Sequence, residues 1–510
     1  YLTDDATDLT GWQFPSVTLG GGESLVVFAS GKYPNEPAGE LHTDFKLSGN
    51  GEYLALVRPD GVTIESDFDP EFPEQYADVS YGFSSDFAEQ GYFTAPSPGE
   101  ANLVDPIPDP TVQVLISEIM YHPSSENALE EYIELYNRGF EPVNLLNWQI
   151  NAGVQFTFPD VTLDPGEYLV VVANAARFKI KYGGVTNYVG DWEGQLSNRS
   201  EQIRLIDATG RRIDRVTYAD QGDWGVRQRG PVHHAHEGWI WTADHDGGGK
   251  SLELINPALS NRYGQNWAPS GPYQGTPGAP NWAQSDNLAP MILDVGHYPI
   301  IPRSNDQVTV TAKLRDESAD GISARVYYRN DGAPSFYSAI MYDDGRHGDG
   351  EAGDGLFGAV LPTRSHGTVV EFLVRAQDST GNVRMWPGPT KPTNQQLANL
   401  LYQVDNSFDP NAPWDPENQP VYYLVMTEAE RAELATIGTL GYTRPSDAQM
   451  NGSFFSADGT GVKVRYNVGI RNRGHGSRGG PPNNYRVNFV HDRPWKNVSA
   501  ININNRWGYV

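Results

Sequence analysis

The strongest constraint on this chain is that one stretch occurs in it twice. Val161-Thr-Leu-Asp-Pro-Gly-Glu-Tyr-Leu-Val-Val-Val-Ala173 is preceded by Val17-Thr-Leu-Gly-Gly-Gly-Glu-Ser-Leu-Val-Val-Phe-Ala29. Each reads as a short strand, a tight glycine turn and a longer apolar strand, the pattern of a β-hairpin. The correspondence continues downstream. Leu47-Ser-Gly-Asn-Gly-Glu-Tyr-Leu-Ala-Leu56 matches Leu196-Ser-Asn-Arg-Ser-Glu-Gln-Ile-Arg-Leu205, and Pro98-Gly-Glu-Ala-Asn102 matches Pro277-Gly-Ala-Pro-Asn281. A module repeated within one chain predicts a modular protein, assembled before any chemistry is considered.

At 510 residues the chain exceeds a single core and should divide into about three to four domains. It has no cysteine, which excludes a disulfide framework, a thiolate metal site and thiol catalysis. Lys+Arg 37 against Asp+Glu 64 gives a net charge of −27. Such a surface repels phosphate backbones and anionic membranes, so nucleic acid is not an expected partner. Divalent cations and neutral or basic glycan surfaces fit better. Abundant glycine, proline and tyrosine point to a turn-rich β protein. No apolar run approaches the roughly 18 residues of a membrane span. Tyr1 falls inside the first repeat, so we expect a fragment of a longer polypeptide. The strands missing from that repeat are expected either in the part of that polypeptide lost by truncation or from a neighbouring subunit in a self-assembling array.

Taken in order, the modules are expected at 1–104, 112–284, 289–405 and 420–510, joined by the proline-rich stretches 105–110 and 405–419. In the second module Tyr132, Glu134 and Tyr136 alternate with Ile133 and Leu135, which predicts a half-buried strand. Ile116-Ser-Glu-Ile119, Glu131-Tyr-Ile-Glu-Leu-Tyr-Asn137 and Leu145-Leu-Asn-Trp148 resemble the lamin-tail domain, an immunoglobulin-like β-sandwich. The resemblance covers about 112–218 well and the first module more faintly. It implies accessory or adhesive modules that serve interaction or spacing. In the third module Val308-Thr-Val-Thr-Ala-Lys-Leu314 alternates, as do Val370, Phe372, Val374 and Ala376, which predicts a further sandwich.

Two stretches carry candidate ligands. In His233-His-Ala-His-Glu237, His234 and His236 would share one side of a strand, as two imidazole zinc ligands should. A polar loop leading to Trp239 and Trp241 is the plainer reading, and the one we favour. The stretch 342–355 gathers Asp343, Asp344, Asp349, Glu351 and Asp354 among glycines. Glycines let carbonyls and carboxylates wrap one hard cation, so we expect calcium here, in a structural role. The alternative is a solvated acidic hairpin.

After residue 420 the character changes. Val421-Tyr-Tyr-Leu-Val-Met426 predicts a strand and Thr427-Glu-Ala-Glu-Arg-Ala-Glu-Leu434 a helix, with Thr427 as N-cap and Glu430 closing a capping box. Gly469-Ile-Arg-Asn-Arg-Gly474, Ser477-Arg478 and Tyr485-Arg-Val-Asn-Phe489 resemble the start of the spore-coat-protein-H (CotH) family of protein kinase-like enzymes. The resemblance implies that Arg471, Arg473, Arg478 and Arg486 hold ATP phosphates and that magnesium is bound by aspartates lying beyond Val510. Relatives carry a lysine where this chain has Asn483 and Asn484. Without the resemblance, the arginines read as partners for the surplus carboxylates.

The fold class is therefore mainly β: tandem immunoglobulin-like β-sandwiches followed by the start of an α+β kinase-like domain. The function expected first is structural or adhesive, in an exported or cell-surface protein that assembles with itself or with other surface proteins. A secreted CotH-type kinase is the alternative. Glycan binding through exposed Trp239 and Trp241 is a third.

Overall fold

In the computed structural model the described residues are 1–20, 23–32, 40–69, 71–73, 75–77, 79–84, 90–93, 96–100, 102, 113–318, 321–350, 352–391, 393–409, 420–437, 446–458, 461–474 and 483–504. They are mainly β, as the composition predicts. The chain forms two compact units, Tyr1–Gln113 and Val114–Val510. No helix among the described residues is long and apolar enough to cross a membrane.

In the first unit, Leu2–Thr3, Leu54–Val57 and Ile64–Phe68 pair antiparallel in that order. The second unit repeats this order in Gln149–Ala152, Ser200–Ile206 and Arg212–Ala219. The sequence repeat is thus a repeat of strand topology. Among the described residues the two strands of the hairpin expected at its head do not pair in either copy. Val17 and Leu19 are exposed, and Val27–Phe28 pairs in parallel with Leu41–His42. In the second copy the turn is present, with the Glu167 N–H donating to the Asp164 carbonyl at 3.1 Å. Its two strands part company, however. Thr162–Leu163 joins Val143–Asn144, while Tyr168–Val172 joins Tyr132–Asn137. Burial explains the choice: Val170, Val171 and Val172 have no exposed surface, which an isolated hairpin could not offer them.

The lamin-tail-like sandwich of the second unit sets a six-stranded sheet beside the four-stranded one. Ile116, Ile119, Ile133, Leu135, Ile203, Leu205 and Val216 fill its interior without exposed surface. The opposite face of Tyr132–Asn137, predicted to meet water, is buried at Tyr132 and Glu134 and half-buried at Tyr136. Glu134, Glu118 and Glu253 lie side by side on three adjacent strands, all 0 % exposed. They hold the returning segment 272–283 by its backbone. Thr276 N–H donates to Glu118 (2.9 Å), Gly278 N–H to Glu134 (2.6 Å) and Ala283 N–H to Glu253 (2.8 Å). Gly275, at φ +85°, passes so close to Tyr132 and Glu118 that a Cβ would collide with both. Burial raises all three acids, Glu118 to about 7, and for Glu118 and Glu134 the neighbouring carboxylates add to it.

The third sandwich pairs Met291–Tyr298, Val308–Arg315 and Leu356–Leu361 in one sheet and centres the other on Val369–Gln377. Val308–Arg315 alternates buried and half-buried residues as its sequence predicts. The last part is a five-stranded meander running Val421–Val425, Met450–Asp458, Gly461–Asn472, Tyr485–Asn488, Ala500–Ile503, with the helix Glu428–Thr436 beside it. Val425 and Phe455 of the meander lie in the same apolar cluster as Val310, Phe372 and Tyr402 of the sandwich. Within that cluster His297 is stacked on Tyr402 at 4.8 Å and hydrogen-bonded to Tyr466. Burial holds its imidazole down at about 4.

Candidate functional site: the junction cleft and the acidic loop

The lamin-tail-like module sends the antiparallel pair Val226–His233 and His236–Thr242 onto the meander. His234 and Ala235, at φ 52° and 71°, form the two-residue turn between them. His234 is therefore in a turn and not on a strand, and the shared side that a zinc pair needs is not formed. His236 instead sits 2.8 Å from Glu433. Trp239 is 2 % exposed, which removes it as a glycan platform.

Trp239 N–H donates to the Gln449 carbonyl at 2.7 Å, fixing the hairpin to the meander through main chain. Glu430 completes the joint. It accepts from Arg229 Nη2 (2.7 Å), Trp239 Nε1 (2.9 Å) and the Asn451 N–H (3.2 Å), while the Arg229 guanidinium lies 4.2 Å from the centre of the Trp239 ring. Thr427 caps the helix as expected, its Oγ1 accepting from the Glu430 N–H. The Glu430 carboxylate, expected to turn back and close a capping box, is committed to the joint. A second contact unites all three modules. Asp223 accepts from Trp386 Nε1 of the third sandwich (2.7 Å) and from Arg493 Nη2 of the meander (3.1 Å).

Between hairpin and meander lies a cleft of about 480 Å³ whose wall includes Arg199, Arg227, Arg471, Arg486 and Trp241. Arg471 and Arg486, both singled out from sequence, are direct cross-strand partners. Arg471 bonds Asp447 at 2.7 Å, and Arg486 Nε bonds Asn488 at 2.8 Å. Arg473 points elsewhere, to Asn504, and Arg478 lies outside the described residues. Sequence reading missed Arg227. The signal was present, because Arg-Gln-Arg229 opposes Trp-Ile-Trp241 residue for residue once the turn is placed.

In the acidic loop, Asp344, His347 and Asp349 converge, with one ligand atom of each within 4.8 Å of the others. Asp349 is fully buried and accepts from the N–H groups of Asp344, Gly345 and His347. Burial pushes its carboxyl up, but these N–H donors together outweigh it and leave the group below its ordinary value. Asp343 turns away to the Gly353 and Gly355 N–H groups, and Asp354 to the Leu356 N–H. Glu351 lies outside the described residues. The convergent set is two carboxylates and an imidazole, a smaller and less oxygen-rich group than the five acids expected.

Two parts of the chain match known families. Residues 303–385 match the model of the Conditioned medium factor 2nd Ig-like domain, and residues 108–220 match that of the Lamin Tail Domain. No curated protein matches the chain. The chain is a modular β-sandwich protein whose second module is of lamin-tail type and whose third is Ig-like.

Proposed function

We propose that this chain is a spacer and adhesive array of an exported or cell-surface protein, rigid within its second unit, whose three modules are fixed at joints and do not swing on their linkers. The observation that carries the reading is the joint at Glu430 and Asp223, two nearly buried carboxylates that accept hydrogen bonds across module boundaries, Glu430 from Arg229 and Trp239 and Asp223 from Trp386 and Arg493. Inter-module contacts of mobile arrays are small and wet; these resemble an interior. Calorimetry of the full chain should show residues 114–504 melting in one transition. Separate transitions for the lamin-tail-like module and the meander overturn the rigid reading. Surface proteolysis of the producing cells tests the location, and sedimentation of the purified chain tests self-assembly.

A cation at the acidic loop belongs to the same reading, as a brace for the third sandwich. Calcium is the expected ion, and the His347 imidazole makes zinc its competitor. Titration calorimetry with each metal on chelator-treated protein decides between them, and a flat trace with both sinks the brace. Asp349→Asn should lower stability by about 2 kcal/mol even without metal, since three N–H groups share that carboxylate. Urea unfolding of the variant in chelator checks it.

Protein phosphorylation by a CotH-type domain is the second reading, favoured by the cross-strand pair Arg471–Arg486 facing one cleft. Transfer of labelled phosphate from magnesium-ATP to protein, assayed on the native full-length polypeptide, tests it directly.

A further inference from the structure

The cleft between hairpin and meander holds a buried cation that Glu430 favours only at a distance and whose own hydrogen-bonding capacity is left largely unused. Arg227 is 4 % exposed, and its Nε and Nη2 have no hydrogen-bond partner. Its guanidinium stacks on Trp241, 5.3 Å from the ring centre. Burial pulls it well below the ordinary guanidinium range, to about 9. A desolvated guanidinium without a hydrogen-bonded counter-charge is strongly unfavourable, and native folds rarely retain one without use.

The rest of the wall adds to the positive charge. Arg471 and Arg486 oppose one another across the strand pair, a like-charge arrangement that destabilises a sheet. Arg199 adds a fourth guanidinium. The two carboxylates of the wall are engaged, Asp447 with Arg471 and Asp220 with His491. Positive charge is thus concentrated at one point of a chain whose net charge is −27. Guanidinium forks match the spread of oxygens on phosphate and sulfate, and a wall with a tryptophan face suits a ring beside the anion. The volume is that of a small-molecule site.

We propose that this cleft binds a phosphate or sulfate monoester, with Arg227 and Arg486 holding the oxyanion and Trp241 flanking the group that carries it. The site lies between two modules, so its ligand would also tighten the joint. It requires neither magnesium nor phosphoryl transfer, and a failed kinase assay does not bear on it.

The test is thermal unfolding and titration calorimetry of the full chain with inorganic phosphate, sulfate and glucose 6-phosphate. Chloride at matched ionic strength and plain glucose are the controls. Saturable stabilisation by phosphate or sulfate beyond chloride is expected, and tighter binding of the sugar phosphate than of phosphate would place the ring on Trp241. The comparison of phosphate with sulfate identifies the ester. Arg227→Met should weaken binding at least about tenfold while leaving the ligand-free melting temperature equal or higher, because it removes a buried charge that lacks a hydrogen-bonded counter-charge. Arg486→Gln, on a half-buried position, should weaken binding about tenfold without altering the fold. The proposal is overturned if phosphate and sulfate act no differently from chloride. It is equally overturned if Arg227→Met lowers the ligand-free melting temperature and leaves the phosphate effect intact, the signature of a purely structural arginine.

Discussion

Glu118→Ala should cost the lamin-tail-like module about 3–5 kcal/mol at pH 5, because three donors lose their acceptor in a fully buried site. Tyr132 Oη (2.7 Å), the Thr276 N–H (2.9 Å) and Ser251 Oγ all donate to this one carboxyl, and the residue has no exposed surface. Glu118→Gln separates shape from charge, since it keeps the accepting oxygen and cannot ionise. The carboxyl is raised from 4.5 to about 7 by burial first. On raising pH the unfolded chain therefore releases this proton before the folded chain does. Stability falls between about pH 4.5 and 7 and then levels, by roughly 3 kcal/mol for this group alone. Urea unfolding at pH 5 and pH 8, followed by tryptophan fluorescence, should show the wild-type protein weaker at pH 8. Glu118→Gln should remove most of that difference. A glutamine variant with the wild-type pH dependence would sink the assignment.

The joint is expected to fail through Glu430. Glu430→Ala leaves Trp239 Nε1 buried without an acceptor and releases Arg229, a loss of about 3–4 kcal/mol. Glu430→Gln retains an acceptor for the indole and forfeits only the ion pair, for about 1–2 kcal/mol. The helix cap should survive both changes, since Thr427 bonds the backbone of residue 430 and not its side chain. Calorimetry distinguishes a weakened joint from a weakened helix. A split of the single transition, with the meander melting first, is the expected result for alanine. A uniform downward shift without splitting would mean that the modules are not coupled through this residue.

Periodicity carried the strands of the third sandwich into view, because one face of Val308–Arg315 packs and the other is only half covered. It misread Tyr132–Asn137 for a reason that local pattern cannot contain. The alternate face carrying Glu134 is covered by residues about 140 positions away, and glutamate is a rare occupant of such a site. The repeated stretch had the same limit. Its turn was legible at Asp164 and Gly166, but the partners of its strands are set by the whole sheet. At the candidate site, Arg471 and Arg486 could be singled out because basic residues are scarce here, whereas the pairing that marks Arg227 is legible only once the turn at His234 and Ala235 is placed. Its importance arises from a hairpin turn and from a module that follows some 200 residues later.

The apolar cluster around His297 bears on inheritance as well as on stability. Phe455, Tyr466, Phe372 and Tyr402 gather around one imidazole, so the third sandwich and the meander share their centre. A recombination event with a breakpoint between residues 405 and 420 would deliver either part to a new gene with an uncovered aromatic face. Selection should therefore pass the two on as a pair, and domain shuffling, by nature or by design, should leave 289–504 undivided and, because of the joints at Glu430 and Asp223, carry the lamin-tail-like module with it.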